Sequence, residues 1–227
     1  GRPLWIVFTS DHGDHQGAHR LNNKGPTAYE DNAGVPLIVV APDKHGGVVQ
    51  PSVVSLLDLV PTFLEAAGLP RPACLDGASL APLLGHERAA LERIAVGEYT
   101  RYEAGHDGFG GLHPLRFYVR DNWKLVLNLH DQDELYDLAS DPHELVNRID
   151  DPASAGVRDE LHTALINWMY AHIDPQRGRP WEHRSWHIIE RPDWGAPMRP
   201  VPPDGYRPTY IDYDTALATR GVAKQYE

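Results

Sequence analysis

The chain has 227 residues, of which 41% are hydrophobic and 23% charged, enough apolar sequence for one sizeable core or a core with a small second domain. Its formal net charge of −11 excludes nucleic acid as an expected partner, because phosphate binding depends on lysine and arginine. No apolar run approaches the roughly 20 residues that cross a bilayer, so no membrane association is expected. The single cysteine, Cys74, excludes an intrachain disulfide.

The first residues, Gly1-Arg2-Pro3, include no initiator methionine and lead directly into an apolar run. We therefore expect the chain to begin partway through a longer protein, with a processed natural terminus as the alternative. The single cysteine favours a reducing compartment. A secretion signal before residue 1 would change that expectation, so the cytoplasm and the periplasm of a bacterium both stay open.

Two short apolar runs, residues 4–9 and 35–41, predict buried strands of a parallel sheet. The loop between them is polar and rich in His, Asn and Gly. In open α/β sheets, functional groups gather just past the carboxyl ends of strands, and Asp11 and His12 stand at such a position. This loop is therefore the first candidate for a functional site.

The next element lies within residues 53–67, where helical spacing is carried by Leu59, Val60, Phe63, Leu64 and Ala67. Asp58 is predicted to cap the start of this helix. Pro61 falls in the first turn, where its missing N–H costs little, and Gly68 is placed to end the helix. Residues 70–86 are rich in Pro and Gly and predict a surface loop.

After about residue 90 the sequence predicts short antiparallel strands, at residues 94–99, 115–120 and 123–129. Asp121-Asn122 is a turn signal between the last two. Trp123 and Lys124 fit a strand with one buried and one exposed face.

Residues 157–172 predict an amphipathic helix whose apolar face comprises Val157, Leu161, Ala164, Leu165, Trp168 and Met169. Strands backed by one helix make a small α+β unit. Residues 174–227 are rich in Pro, Arg and aromatic residues without a clear period. They predict an extended arm that wraps the body or a neighbouring subunit, and a disordered tail is the alternative.

A carboxylate and an imidazole, as in Asp11 and His12, are a common ligand pair for a divalent cation. Two adjacent ligands cannot complete a site, and a capping aspartate beside a solvated histidine is the alternative. Asp14, His15 and His19 add polar groups suited to an outer shell. Lys24, on the same loop, suggests an anionic group lying between it and the metal. Composition alone would make Lys24 an ordinary exposed lysine.

The segments Thr9-Ser10-Asp11-His12-Gly13-Asp14, Asn23-Lys24-Gly25-Pro26 and Val35-Pro36-Leu37-Ile38-Val39 together resemble the second signature of the sulfatase family, within the alkaline phosphatase superfamily. Glu134-Leu135-Tyr136-Asp137-Leu138 with Asp141-Pro142-His143-Glu144 is similar to the signature of that family's small subdomain. The resemblance covers roughly residues 4–190. As a set the motifs are specific, although no single one of them is.

The resemblance implies an α/β fold, the C-terminal portion of an alkaline-phosphatase-like mixed sheet flanked by helices. Residues 1–90 would be the C-terminal part of the α/β catalytic domain. Residues 91–173 would be a small α+β subdomain of antiparallel strands with one long helix, and residues 174–227 the extended C-terminal arm.

The same resemblance implies that Asp11 and His12 are metal ligands and that Lys24 contacts the sulfate oxygens of a sulfate ester or sulfated carbohydrate. Calcium is the favoured metal, with Mn²⁺ or Mg²⁺ as alternatives. In the family the nucleophile is a formylglycine made from the first residue of a Cys/Ser-x-Pro-x-Arg motif. Cys74 is followed by Leu75-Asp76-Gly77 and does not fit this motif, so we expect the chain alone to be inactive.

Other interpretations stay open. Many sulfatases have Asn at the position of His12, whereas phosphonate monoester hydrolases have His, which makes a phosphonate monoester or phosphodiester hydrolase of the same superfamily the nearest alternative. A non-catalytic assembly module is a different one, with a homo-oligomer formed through the arm. His113 and His106 flank a glycine-rich stretch, and His113 is a candidate substrate contact beside the more ordinary interpretation as a loop histidine.

Overall fold

The computed structural model describes residues 3–42, 44, 46–85, 93–102 and 111–187. Its strands are β1 Ile6–Thr9, β2 Leu37–Val40, β3 Ile94–Tyr102, β4 Gly111–Arg120, β5 Trp123–Asn128 and β6 Glu134–Asp137. Its α-helices are α1 Glu30–Ala33, α2 Leu59–Ala66, α3 Ala155–Ala171 and α4 Arg179–Glu182. Single 3₁₀ turns lie at Ala18–Arg20, Leu56–Asp58, Ala81–Leu83 and Pro152–Ser154. In this described part of the chain, no helix has the length and apolar character that a membrane span requires.

The strands β1 and β2 form a two-stranded sheet in which Phe8 lies opposite Ile38. They run antiparallel, so the prediction of parallel strands was wrong. Parallel neighbours are usually joined by a crossover helix that packs on the sheet, whereas residues 10–36 contain only the 3₁₀ turn Ala18–Arg20 and the single turn of α1. The prediction that these strands are buried was also wrong. One face of the sheet exposes Ile6, Phe8, Ile38 and Val40. Contiguous exposed apolar residues of this kind mark an interaction surface.

Helix α2 begins and ends largely as predicted, with Pro61 in its first turn. Gly68 adopts a φ of 68°, and the N–H of Leu69 donates to the carbonyl of Leu64, which closes the helix end. The capping role predicted for Asp58 was wrong. Its side chain makes no bond to the α2 backbone and accepts instead from the N–H groups of Ser55 and Ala78.

The strands β3, β4, β5 and β6 form a four-stranded antiparallel sheet in that order, which confirms the predicted antiparallel unit. The turn between β4 and β5 is where the sequence predicted it, with Asp121 at a φ of 53°. Helix α3 packs against the sheet through Leu161, Leu165 and Met169, which confirms its predicted apolar face. These residues form one core with Leu125, Leu127, Leu135 and Ile149.

Residues 174–187, at the start of the predicted arm, pack against this core. Trp181 of α4 is fully buried, and its indole N–H donates to the carbonyl of Gln176. Arg184 forms an ion pair with Asp133, and the indole N–H of Trp186 donates to the same carboxylate at 2.8 Å. The rest of the arm, residues 188–227, lies outside the described residues, so the predicted wrapping and homo-oligomer stay predictions.

The placement of Lys124 differs from the prediction of an exposed strand face. Its side chain is fully buried. Strand β5 is covered on both faces, on one by α3 and on the other by the segment around Ala28, whose carbonyl accepts from the Lys124 ammonium. Alternation along a strand assumes that one face meets water, and that assumption fails here.

Candidate active site

The loop between β1 and β2 carries the predicted site residues. Asp11 lies two residues after Thr9, the last residue of β1, and the chain then turns sharply at Gly13. The N–H of Gly13 donates to the carbonyl of Asn32 at 2.8 Å. A Cβ at position 13 would overlap the backbone carbonyl of Asp31, so only glycine permits this close approach of the loop to α1.

The ring of His12 has a defined orientation. Its Nδ1 lies 2.8 Å from the carbonyl oxygen of Gly13, and its Nε2 lies 3.2 Å from Nζ of Lys24. A carbonyl can only accept and an ammonium can only donate, so Nδ1 carries the proton and Nε2 presents a lone pair. This is the tautomer that a metal-binding histidine needs, with the other nitrogen held by a backbone carbonyl.

The carboxylate of Asp11 faces solvent, with a side chain 85% exposed, and one of its oxygens lies 3.6 Å from Nε2 of His12. A hydrogen bond from its own backbone N–H is the largest of several effects that lower the pKa of Asp11. The N–H of His12 adds a second bond to this carboxylate at 3.0 Å. Asp11 is therefore ionised at neutral pH and available to a cation.

Lys24 returns to this point because the loop folds back on itself. Asn23 adopts a φ of 66°, and its side-chain oxygen accepts from the N–H of Lys24 at 2.9 Å. The structure thus brings Asp11, His12 and Lys24 together, as the sequence predicted. Their roles toward a metal and a sulfate group stay predictions.

Asn32 links the two halves of the loop, a part that sequence reasoning missed. Its amide nitrogen donates to the carbonyl of Gly25 at 3.0 Å and to that of Thr27 at 2.9 Å. The backbone carbonyl of Asn32 accepts from the N–H of Gly13. One residue therefore holds the backbone next to His12 and next to Lys24. An asparagine in a polar loop gives no sequence signal for such a role.

The two histidines predicted for an outer shell contact other parts of the loop. His15 is buried, and its Nε2 is hydrogen bonded to the hydroxyl of Thr27 at 2.8 Å. His19 stacks on Tyr29 with ring centroids 3.7 Å apart. Asp14 accepts from the N–H of Gln16. These contacts stabilise the fold of the loop that carries Lys24.

The donor chemistry of Asp11 and His12 fits a divalent cation, because a hard carboxylate oxygen and a neutral imidazole nitrogen face the same space. Among the described residues, no group of three or more His, Cys, Asp or Glu side chains is arranged to hold a metal ion. These two residues therefore fit as part of a ligand set rather than the whole of one.

A cleft of about 530 Å³ opens beside Asp11 and His12. Residues of β3 and β4 also line this cleft, among them Glu98, Tyr99 and Phe117. His113 lies nearer the start of β4 and is half-buried, so its substrate contact stays a prediction. His106 lies outside the described residues.

Gly13→Ala is expected to lower the free energy of unfolding by about 1–3 kcal/mol, because the added methyl must displace the backbone of Asp31. Urea unfolding of this chain, followed by tryptophan fluorescence, measures the change. Gly156→Ala is the matched control, since nothing lies within 4 Å of a Cβ at that helical position. Equal stability of the two variants would show that the close approach at Gly13 is not needed.

Comparison with known proteins gives consistent matches. Residues 17–170 match the family model described as N-sulphoglucosamine sulphohydrolase, C-terminal. The uncharacterized sulfatase YidJ of Escherichia coli (strain K12) is 42% identical over 218 residues, which are 96% of this chain and 42% of that protein. The chain thus spans less than half the length of this relative.

Two solved structures are similar in fold. One, from Bacteroides thetaiotaomicron and described as a candidate sulfatase, has a TM-score of 0.68 at 29% identity, covering 76% of this chain and 37% of that one. The other, a phosphonate monoester hydrolase from Silicibacter pomeroyi, has a TM-score of 0.62 at 27% identity, covering 75% and 35%.

Proposed function

We propose that this chain, which belongs to the sulfatase family and carries its C-terminal region, supplies three residues to the active site of a sulfate-ester hydrolase. These residues are Asp11, His12 and Lys24. The observation that supports this most directly is the orientation of His12. Its Nε2 lone pair faces the same space as the Asp11 carboxylate and the Lys24 ammonium. A metal and an anionic substrate group require that combination.

In this proposal Asp11 and His12 are two ligands of a divalent cation, with Ca²⁺ favoured and Mn²⁺ or Mg²⁺ as alternatives. The bound cation would supply positive charge at the oxygens of the substrate. Carboxylate ligation favours calcium, whereas an imidazole ligand is also compatible with manganese. Asp11 remains ionised at neutral pH, and His12 is held in its metal-binding tautomer by Gly13.

Lys24 donates hydrogen bonds from its ammonium to the nonbridging oxygens of the sulfuryl group. As a nucleophile from the remainder of the enzyme bonds to sulfur, the ester S–O bond breaks and its electron pair leaves with the alcohol oxygen. A fixed ammonium beside the metal ligands stabilises the negative charge on the nonbridging oxygens in that transition state without reorganising at the moment of reaction. The 3.2 Å contact with His12 keeps the ammonium on this side of the loop before substrate arrives.

The nucleophile and the remaining ligands come, in this proposal, from the part of a sulfatase that the chain does not span. Cys74 is exposed and its following residues do not fit the nucleophile motif. We therefore expect turnover only from the complete enzyme, meaning this chain joined to the remainder of a sulfatase polypeptide. The exposed apolar face of β1 and β2 would pack against that remainder.

For the substrate we propose a sulfated carbohydrate, because the matching family model is named for a sulphohydrolase of N-sulphoglucosamine. The second candidate is a phosphonate monoester. It is favoured by His12 and by the likeness to a phosphonate monoester hydrolase. The two reactions share an anionic tetrahedral centre and would use Lys24 in the same way.

Steady-state kinetics of the complete enzyme with Ca²⁺ separates the two candidates. We expect kcat/KM for an aryl sulfate to exceed that for a matched aryl phosphonate monoester at least tenfold, that is by about 1.4 kcal/mol. Cys74→Ala is the control and should retain full activity, because Cys74 is exposed and alanine cannot supply the nucleophile. A preference for the phosphonate would replace the sulfatase assignment by its alternative. Loss of activity in Cys74→Ala would show that the nucleophile was misplaced.

A further inference from the structure

The side chain of Lys124 is buried, with an exposure of 0%. Its Nζ lies 2.7 Å from the carbonyl of Ala28, 2.8 Å from Oε1 of Glu144 and 2.5 Å from Oε1 of Glu30. An ammonium has three donors, and all three are satisfied. A buried charge is costly unless it is paired and hydrogen bonded in this way.

Glu144 completes the arrangement from the other side. Its side chain is also buried, and its second oxygen accepts from the backbone N–H of Glu30 at 2.6 Å. Lys124 thus binds the carbonyl that precedes α1, and Glu144 binds the N–H at its first residue. Two of the contacts made by this ion pair end on the backbone of the loop between β1 and β2.

The same short segment leads directly to Asn32. The carbonyl of Asn32 accepts from Gly13, the residue after His12, and its amide donates to Gly25, the residue after Lys24. The ion pair between Lys124 of β5 and Glu144 of the segment after β6 is therefore joined to both halves of the site through the single turn of α1.

We propose that Lys124 and Glu144 are positioning residues for the active site, fixing through Ala28, Glu30 and Asn32 the distance between His12 and Lys24. This inference rests on the proposed function of His12 and Lys24. An ion pair that served stability alone need not direct its hydrogen bonds to loop backbone. Here loss of either partner would free the start of α1, and with it both attachment points of Asn32.

Arg116 and Asp174 offer a comparison within the same unit. Their side chains are equally buried, with Nε of Arg116 2.7 Å from Oδ2 of Asp174. This pair joins β4 to the segment after α3, and its further contacts include Tyr99, Leu115, Glu98 and Gln176. It is a buried ion pair of the same kind, and these contacts lie outside the loop between β1 and β2, although Glu98 and Tyr99 line the cleft beside Asp11.

The test compares Lys124→Met with Arg116→Met in the complete enzyme, at a temperature where circular dichroism shows both variants folded. Calorimetric titration with Ca²⁺ alone gives the metal Kd, and kinetics at saturating Ca²⁺ gives kcat and KM separately. For Lys124→Met we expect a Kd raised roughly 10- to 100-fold, the usual effect of losing an outer-shell partner, together with a lower kcat. For Arg116→Met we expect a lower Tm with the Ca²⁺ Kd within twofold of the parent, and the comparison uses Kd because Arg116 contacts Glu98 and Tyr99 of the cleft.

The double variant Lys124→Met/Glu144→Gln serves if the single variant does not fold, because it leaves no unpaired buried carboxylate. It should still bind Ca²⁺ at least tenfold more weakly, since Ala28 and Glu30 lose their charged partners. Unchanged Ca²⁺ affinity and kcat in the folded Lys124 variants would overturn the inference. Asp11→Ala, titrated with Ca²⁺ in parallel, distinguishes failure of the positioning role from failure of the proposed metal site. If Asp11→Ala loses Ca²⁺ and the Lys124 variants do not, only the positioning role fails. If Asp11→Ala also binds normally, the proposed metal site itself fails.

Discussion

Asp11→Ala in the complete enzyme is expected to remove most of the bound calcium and, with it, all measurable sulfate-ester hydrolysis. Among the described residues of this loop, Asp11 is the only one whose carboxylate lies within 4 Å of Nε2 of His12. It is ionised at neutral pH and its exposed side chain leaves it free to meet a cation. Elemental analysis of the dialysed protein measures the metal, and aryl sulfate kinetics measures the activity.

Asp14→Ala is the matched control for this substitution. Asp14 is a nearby carboxylate on the same loop, and its side chain accepts from the N–H of Gln16 rather than facing His12. We expect it to lower stability slightly and to leave calcium content unchanged. A full complement of calcium in Asp11→Ala would refute the ligand role. A loss of equal size in both variants would point to general disruption of the loop.

Lys24→Ala is expected to lower kcat/KM by a factor of about 10², on the order of 3 kcal/mol of transition-state stabilisation. The reason is that the sulfuryl oxygens lose the ammonium that lies beside the metal ligands. Metal content should stay close to that of the parent, because an ammonium has no lone pair and cannot be a ligand, and the Nε2 of His12 that accepts from it here is the atom proposed to bind the cation. Kinetics and elemental analysis on the same preparation measure the two effects.

Lys44→Ala is the control, since Lys44 is an exposed lysine outside this loop and should leave kcat/KM unchanged. An unchanged kcat/KM in Lys24→Ala would exclude the contact with the sulfate group. Loss of metal together with activity would instead place Lys24 in support of His12. Loss of metal in Asp11→Ala and its retention in Lys24→Ala would distinguish a metal ligand from a substrate contact.

The elements after residue 90 could be predicted because their signals are local. The turn at Asp121-Asn122 and the helical spacing of Leu161, Leu165 and Met169 need no knowledge of distant residues. Lys124 shows the limit of such reasoning. Its partner Ala28 lies 96 residues away, and nothing near Lys124 in the sequence shows that a loop covers that face of β5.

Asp58 shows the same limit in a second form. A carboxylate before an apolar helix predicts a helix cap. The oxygens of Asp58 instead accept from the backbone N–H groups of Ala78 and Ser55, and one of them lies 2.7 Å from the guanidinium of Arg93. The direction of β2 was missed because a short apolar run indicates burial without indicating orientation. In the site, the residue types at positions 11, 12 and 24 could be chosen from the sequence, whereas Asn32 could not.

The full burial of Trp181 has a practical consequence for the limits of a minimal domain. A chain shortened before this residue would open a void the size of an indole against α3, at a cost of about 3–5 kcal/mol, a large share of the stability of an ordinary domain. A cut after residue 187 would spare Trp181, Arg184 and Trp186 and remove only the segment beyond them. Deletion studies of the C-terminal arm should therefore start there, so that any change in assembly reports on the arm and not on a damaged core.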